Sequence, residues 1–133
     1  MIYALDTNTI IHLLNNDQKA VKKRNEAVQA GIRFVVPPFV DYEVQRGLLY
    51  NPSHKKERMY ADILNHYGVG NMTANMWKKA ASIYVDLKRR SFTVSDADIL
   101  IAAFCIISDY TLVTRNIRDF ANIHDLSTIN WIE

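Results

Sequence analysis

Residues 2–8 read Ile-Tyr-Ala-Leu-Asp-Thr-Asn, and this stretch is predicted to be the first strand-to-helix transition of the chain. The apolar run 2–5 is typical of a short buried strand. Asp6, Thr7 and Asn8 follow it at once, and side chains of these types begin helices because their oxygens accept hydrogen bonds from free backbone amides. A strand that runs directly into a helix cap is the first half of an alternating strand–helix arrangement.

The same alternation is predicted along the rest of the chain. Further strands are expected at 32–36, 110–114 and 128–132, with a short edge strand at 67–70. The strands at 32–36 and 110–114 contain nearly unbroken apolar runs, which indicates a parallel sheet covered on both faces. Helices are predicted between the strands, at 9–14, from Asp17 to Gly31, over 38–50, from Ser53 to about 66, from Thr73 through Leu87, and over 96–107. We therefore predict an α/β fold with a mostly parallel central sheet flanked by helices.

The composition limits what the protein can be. A chain of 133 residues, 49% of them hydrophobic, is predicted to form a single domain over 1–133 with a substantial core. It has no run of about 20 apolar residues, and we expect no secretory signal at its N-terminus. Its one cysteine, Cys105, cannot form an internal disulfide and lies in an apolar run, so a buried thiol in a cytoplasmic protein is expected. The net charge of +2 is too small to indicate nucleic-acid binding by itself.

The helix after Thr73 is expected to pack against the core through one apolar stripe. That stripe comprises Met76, Trp77, Ala80, Ile83, Tyr84 and Leu87. Two other aromatic residues, Tyr42 and Phe92, could stack on nucleic-acid bases, but burial is the expected role. The four histidines show no paired spacing of a metal site, so structural or solvent-facing positions are expected for them; they are His12, His54, His66 and His124.

Four acidic residues stand where a parallel sheet would bring them together. Asp6 follows the first strand, and Glu43 lies about one turn into the helix after the second. Asp98 lies in the first turn of a later helix, and Asp119 comes soon after the strand at 110–114. Because ligands of parallel sheets bind at the carboxyl ends of the strands, we expect these side chains at one edge of the sheet.

Each of these residues alone has an ordinary explanation. An aspartate after a strand or in a first helical turn usually caps the helix or interacts with its dipole, and a single glutamate is usually at the surface. Together, three or four carboxylates in one cleft repel each other unless a divalent cation neutralises them. Oxygen-only ligands suit Mg²⁺ or Mn²⁺, and such clusters suit phosphoryl chemistry, in which the metal activates water and stabilises the leaving oxygen.

Four segments of the chain resemble one known family. They are Leu5-Asp6-Thr7-Asn8, Pro37-Pro38 followed by Tyr42-Glu43 and Gly47, Asp96 to Ala103, and Leu112 to Phe120. In this order and spacing they are similar to the PIN-domain ribonucleases, and within them to the VapC toxins of bacterial toxin–antitoxin pairs. The resemblance implies a PIN-like three-layer fold and a Mg²⁺-dependent endoribonuclease that hydrolyses RNA phosphodiester bonds. It also implies a small VapB-like antitoxin as partner, and a homodimer.

The resemblance further implies roles for the acidic residues. Asp6, Glu43 and Asp98 match the first, second and third acidic positions of the family, and Asp6 and Asp98 are expected to hold the metal. At the fourth position many relatives have an aspartate where this chain has Asn116. Asp119, one helical turn later, could supply the missing charge and is counted with the catalytic set, but either residue could fill the position.

Polar and basic neighbours complete the predicted site. The supporting residues are Thr7, Asn8, Asp96, Thr114 and Asn116. Asp98 is expected to matter more than Asp96, because two residues on a helix are separated by about 200° of rotation. Arg115 and Arg118 flank the acidic pocket and are predicted to hold RNA phosphates.

Two other functions fit part of the pattern. A Mg²⁺-binding phosphoacceptor signalling module also places aspartates at strand ends, but residues 51–90 are predicted as two helices around one short strand, which disfavours that fold. A non-catalytic RNA-binding relative of the PIN family is the second alternative. The intact set of Asp6, Glu43 and Asp98 argues against it.

Overall fold

The computed structural model describes residues 1–132, in which the strands of one parallel sheet alternate with helices along the chain. In chain order the elements are β1 (Ile2–Leu5), α1 (Thr7–Leu14), α2 (Gln18–Gln29), β2 (Arg33–Val35), α3 (Pro38–Tyr50), α4 (His54–Tyr67), α5 (Ala74–Arg89), α6 (Asp96–Ser108), β3 (Thr111–Val113), α7 (Ile117–Phe120) and β4 (Thr128–Ile129). The strands lie in the order β2-β1-β3-β4, and each neighbouring pair is parallel. The predicted α/β fold with a parallel sheet flanked by helices is confirmed.

The register of the sheet brings three strand ends to one edge. Ala4 of β1 pairs with Val35 of β2, and Leu5 pairs with Val113 of β3. Ala4 and Leu5 are fully buried, because β1 has a strand on either side and helices over the sheet. The residues that follow β1, β2 and β3 therefore emerge side by side at the carboxyl edge.

Helix caps form at side chains of the types that suit this position. Asp17, Ser53, Thr73 and Ser95 each accept a hydrogen bond from a backbone amide in the first turn of the following helix. The helix α3 begins at Pro38 without a side-chain cap, and a proline is suited to this first position because its missing amide hydrogen is not needed there.

Short elements differ from the predictions. The edge strand expected at 67–70 is a single parallel bridge between Val36 and Val69, and the strand expected at 128–132 covers only Thr128–Ile129. The helix α1 begins at Thr7 rather than residue 9, because Asp6 is itself the cap. The four-residue helix α7 was not predicted, since one turn has no readable periodicity.

The apolar stripe predicted on α5 is partly wrong. Residues at positions 76, 80, 83 and 87 are buried, but Trp77 is 55% exposed and Tyr84 is also exposed. Both residues lie about 100° round the helix from the buried line, which leaves them at its margin. Tyr42 and Phe92 are exposed as well, so the expected burial of these two rings is wrong.

Cys105 lies in the middle of α6 and is fully buried, as predicted. Burial among apolar side chains raises the pKa of its thiol, so the reactive thiolate is suppressed. Within residues 1–132, no helix combines the length and the apolar character that crossing a bilayer demands.

Candidate active site

Asp6 lies at the centre of the carboxyl edge of the sheet and is only 5% exposed. Its backbone amide donates to the carbonyl of Val113 at 2.9 Å, which continues the pairing of β1 with β3. Its Oδ1 accepts a hydrogen bond from the amide of Thr7 at 2.8 Å and so begins α1. One residue thus ends the strand and caps the helix, which explains why a carboxylate is buried here.

Thr114 holds the other oxygen of this carboxylate. Its buried hydroxyl donates to Oδ2 of Asp6 at 2.6 Å and accepts a hydrogen bond from the amide of Asn116 at 3.0 Å. The ends of β1 and β3 and the start of α7 are therefore connected through one hydroxyl group. The supporting role predicted for Thr114 has a direct geometric basis.

Glu43 is connected to the Asp6 carboxylate through Thr7. The hydroxyl of Thr7 donates to Oε1 of Glu43 at 2.7 Å, while the amide of Thr7 donates to Asp6. On the other side, Nη2 of Arg46 lies 3.7 Å from Oε2 of Glu43. Two carboxylates from separate elements are thus fixed by the two donors of one threonine.

Asp98 reaches the cluster from the first turn of α6. Ser95 caps this helix by accepting a hydrogen bond from the amide of Asp98 at 3.2 Å. The pKa of Asp98 is raised to about 6; burial is the largest cause, the Ser95 side chain opposes it, and the charges of Asp6, Asp119 and Glu43 add to it. Its neighbour Asp96 is exposed, in keeping with the rotation expected between them.

Two residues, Asn116 and Asp119, are candidates for the fourth acidic position of the family, and they make different contacts. Asp119 on α7 is close enough to Asp6 and Asp98 for its charge to raise the pKa of both. Asn116 contributes its backbone amide to Thr114, and its side chain makes no hydrogen bond with the described residues. Asp119 therefore brings negative charge to the cluster and Asn116 a backbone amide, and the residue that fills the fourth position stays a prediction.

The pKa of Asp6 is also raised. Burial is the largest cause; the hydrogen bonds from Thr114 and Thr7 lower the pKa, and the charges of Glu43 and Asp119 raise it. Negative charges from four separate segments of the chain therefore meet at Asp6 and Asp98, and burial has the larger effect on the pKa of both.

Three predicted residues lack contacts that would define a role. Asn8 is half-buried, and its side chain makes no hydrogen bond within residues 1–132. Arg115 and Arg118 are exposed, and in the described part of the chain neither forms an ion pair. Their contribution to RNA binding stays a prediction.

The donor set fits a hydrated Mg²⁺ better than a fully protein-bound ion. Among residues 1–132, no three His, Cys, Asp or Glu side chains are arranged to hold one ion as they stand. Mg²⁺ usually keeps several waters and binds one or two carboxylates. Asp6 and Asp98 offer carboxylate oxygens as donors, and the negative charges of Glu43 and Asp119 nearby favour a bound cation. This set of groups matches a hydrated Mg²⁺.

Sequence reasoning missed Arg46, which is the one described lysine or arginine within 4.0 Å of a carboxylate of this cluster. Its spacing of three residues from Glu43 was a readable signal, because such side chains are neighbours on a helix.

The four histidines lie outside the site. His12, His54 and His124 pair with acidic side chains there, and His66 contacts a backbone carbonyl.

Fold and site together define an α/β protein with an acidic site at the carboxyl edge of a parallel sheet. The family model for the PIN domain matches residues 3–126, so the chain belongs to the PIN domain family. It is similar to Ribonuclease VapC2 of Rickettsia felis, with 26% identity over 132 residues that cover 98% of each chain.

Solved structures agree with this family. VapBC2 from Rickettsia felis, bound to a DNA fragment from their promoter, matches with a TM-score of 0.86 and 25% identity over 98% of this chain and 99% of that chain. VapBC-1 from nontypeable Haemophilus influenzae matches with a TM-score of 0.87 and 24% identity over 100% of both chains. The predicted resemblance to PIN-domain and VapC proteins is confirmed.

Proposed function

We propose that this protein is a Mg²⁺-dependent endoribonuclease and the toxin of a VapBC-type toxin–antitoxin pair. The observation that carries the proposal is the buried Asp6, held by two threonines and surrounded by Glu43, Asp98 and Asp119. Similarity to a protein named a ribonuclease supports RNA as the substrate. Mn²⁺ is expected to replace Mg²⁺, because both ions prefer oxygen ligands.

The chain's own residues can divide the work of hydrolysis. Asp6 and Asp98 would hold the ion, with Asp6 kept in place by Thr114. When bound, Mg²⁺ would supply positive charge that offsets the carboxylates and eases the ionisation of water. Glu43, oriented by Thr7, would accept the proton of the attacking water, and Asp119 would complete the charge of the cluster.

Exposed arginines are suited to the polyanionic substrate. Arg115 and Arg118 lie on the segment that carries Asp119, with their guanidinium groups in solvent. Cations at the rim of an acidic site can hold phosphates that the carboxylates would otherwise repel. An RNA substrate and a buried, unpaired Cys105 also fit a cytoplasmic location.

The phosphoacceptor alternative shares the beginning of its strand order with this sheet. Flavodoxin-like domains also begin with the order 2-1-3-4, so topology alone does not separate the two functions. A phosphoacceptor would need an acidic pair after β1 and an acceptor at the end of a central strand. Here Asp6 is followed by Thr7, and β3 is followed by Thr114, whose hydroxyl donates to Asp6.

A small VapB-like antitoxin is the proposed protein partner, because the related structures are VapBC complexes. An arginine of that partner is expected to enter the acidic site, since a guanidinium can bridge carboxylates and is always charged. The pairing of Arg46 with Glu43 gives an example of this contact. Replacing each arginine of a co-purified antitoxin by alanine tests the idea, and full inhibition by every variant would contradict it.

A homodimer is also proposed. The helix α5 exposes Trp77, Tyr84 and Val85 in addition to its buried line, and exposed apolar side chains in one stripe mark an association surface. Light scattering of the purified protein, with Trp77→Ser as the disrupting variant, tests this. A monomeric wild-type protein would contradict it.

Metal-dependent cleavage is the direct test of the proposed activity. Purified protein is incubated with an RNA pool in Mg²⁺, then in excess EDTA, and then with Mg²⁺ or Mn²⁺ restored. Cleavage should stop in EDTA and return with either ion. Undiminished cleavage in EDTA would point to metal-free acid–base chemistry instead.

A further inference from the structure

The helix α3 presents a row of exposed side chains that begins beside the active site. Tyr42 is 54% exposed, and Tyr50 is 93% exposed. The side chain of Arg46, midway between them, is 60% exposed. Residues four apart on a helix lie on the same face, so these three form one surface, here called the α3 face.

The near end of the α3 face is ordered by its neighbours. The ring of Phe39 packs edge-on against Tyr42 with centroids 5.5 Å apart, and the guanidinium of Arg46 lies 5.2 Å from the centroid of the Tyr42 ring. The same guanidinium is 3.7 Å from Oε2 of Glu43. Arg46 therefore connects the α3 face directly to the carboxylate cluster.

Stability does not explain these side chains. A tyrosine that is almost wholly exposed buries little apolar area, and a long ion pair with one exposed partner contributes little to stability. The opposite side of α3 already makes the structural contacts, where buried Val40 and Val44 pack in the core and Asp41 accepts a hydrogen bond from Tyr60 at 2.8 Å. The exposed residues are therefore free to serve binding.

We propose that the α3 face binds single-stranded RNA beside the scissile bond, with bases stacked on Tyr42 and Tyr50 and a phosphate held by Arg46. The proposal rests on the proposed ribonuclease function. Aromatic rings and guanidinium planes are the groups on which unpaired bases stack, and an arginine supplies the matching charge for the backbone. Continuity with Glu43 places this surface where substrate must pass.

The size of the α3 face suits a short stretch of RNA. The eight helical steps from Tyr42 to Tyr50 span about 12 Å at 1.5 Å per step. Stacking tolerates every base, so the face adds affinity without choosing a sequence. A protein partner could use the same side chains, but the contact between Arg46 and Glu43 favours the substrate, because it joins the face to the reacting centre.

The test measures RNA affinity separately from cleavage. A short, fluorescein-labelled random-sequence RNA is titrated with protein in EDTA, at several salt concentrations, and anisotropy gives Kd. The variants are Tyr42→Ala, Arg46→Ala and Tyr50→Ala. The matched controls are Val28→Ala, an exposed apolar side chain on α2, and Arg33→Ala, an exposed arginine at the amino end of β2.

Each variant of the α3 face should change a different property. The tyrosine variants should weaken Kd about 10-fold and leave its salt dependence unchanged. Arg46→Ala should lower the slope of log Kd against log salt by about 0.7, the value for one phosphate contact to a single strand. Arg46→Lys should keep that slope, because the charge remains, and the two control variants should match the wild type.

The outcomes separate this proposal from the proposed function. If the wild type cleaves RNA but all three variants bind it as tightly as the controls, the α3 face is not an RNA surface. If they lose a co-purified protein partner while keeping RNA affinity, the surface belongs to that partner and the proposal is overturned. A wild type that neither binds nor cleaves RNA would instead remove the ribonuclease function itself.

Discussion

The site consists of two groups that are held in different ways. The strand-end group, named for Asp6 at the end of β1, comprises Asp6 and Glu43 of α3, whose oxygens accept hydrogen bonds from Thr7 and Thr114 at 2.6–2.8 Å. The helix-start group comprises Asp98 and Asp119, which are placed by α6 and α7. The Ser95 side chain lowers the pKa of Asp98, but burial outweighs it.

This difference suggests a division of labour. The strand-end group is in place before any ion binds, because protein donors already satisfy its oxygens. The helix-start group brings charge that only a cation can offset, so its geometry is expected to tighten when Mg²⁺ binds. Changes in the first group should therefore affect cleavage most, and loss of one of its hydrogen-bond donors should also affect folding, whereas changes in the second should affect mainly metal binding.

The largest effect is expected from the centre of the strand-end group. Asp6→Asn keeps the shape of the side chain but removes the charge beside the proposed ion, so RNA cleavage should fall at least about 100-fold. Initial rates with an RNA substrate measure this, and circular dichroism checks the fold. Asp62→Asn, at an exposed aspartate on α4, is the matched control. Near-wild-type cleavage by folded Asp6→Asn would remove Asp6 from the site.

The second-largest effect is expected from substitutions in the helix-start group. Asp98→Asn should reduce cleavage about 10- to 100-fold and raise the Mg²⁺ concentration needed for half-maximal rate. Asp96→Asn should behave like the wild type, since that side chain is exposed and points away from the cluster by about 200°. A Mg²⁺ titration of both variants in one assay compares them. A more damaging Asp96 change would reverse the assignment.

Loss of the Thr114 hydroxyl should affect folding as well as rate. Thr114→Val leaves a buried oxygen of Asp6 without its donor, which should lower the free energy of unfolding by about 1–3 kcal/mol. Cleavage should fall about 10-fold, because the metal-binding carboxylate loses its support. Urea unfolding and initial rates measure the two effects. Thr114→Ser keeps the hydroxyl and should restore most of both; equal damage by Ser would mean that packing, not the hydrogen bond, matters.

The smallest effect is a pH dependence of stabilisation by Mg²⁺. The folded pKa of Asp98 is about 6, above its ordinary value of 3.8, so the metal-free folded state binds this proton more tightly than the unfolded chain. Its contribution to stability is therefore lost as the pH rises from about 4 to about 6. Mg²⁺ binds the ionised carboxylates, so it should raise Tm more at about pH 7.5 than at about pH 5.

Thermal scans with and without Mg²⁺ at the two pH values measure this difference. Asp98→Asn should remove most of it, and Asp96→Asn should preserve it. An equal rise in Tm at both pH values would show that the ion does not compete with protons at this carboxylate, and the helix-start group would then lose its assigned role.

Local sequence determined the longer elements and the capping of α1 by Asp6. Strand β1, the caps at Asp17, Ser53, Thr73 and Ser95, and the buried Cys105 follow from apolar runs and from side chains that bond the nearest backbone amides. Asp6 and Thr7 are adjacent in the chain, so their hydrogen bond is a local event. The family motifs then indicated which carboxylates belong together, before any distance was known.

The long-range hydrogen bonds of the site and the solvent exposure of individual side chains depend on the tertiary structure. The hydrogen bond from Thr114 to Asp6 spans 108 residues, and the one from Thr7 to Glu43 spans 36, so both depend on the register of the sheet and the packing of α3. The sequence also did not predict that Trp77 and Tyr42 are exposed, because a ring at the margin of an apolar helix stripe is buried only if a neighbouring element covers it.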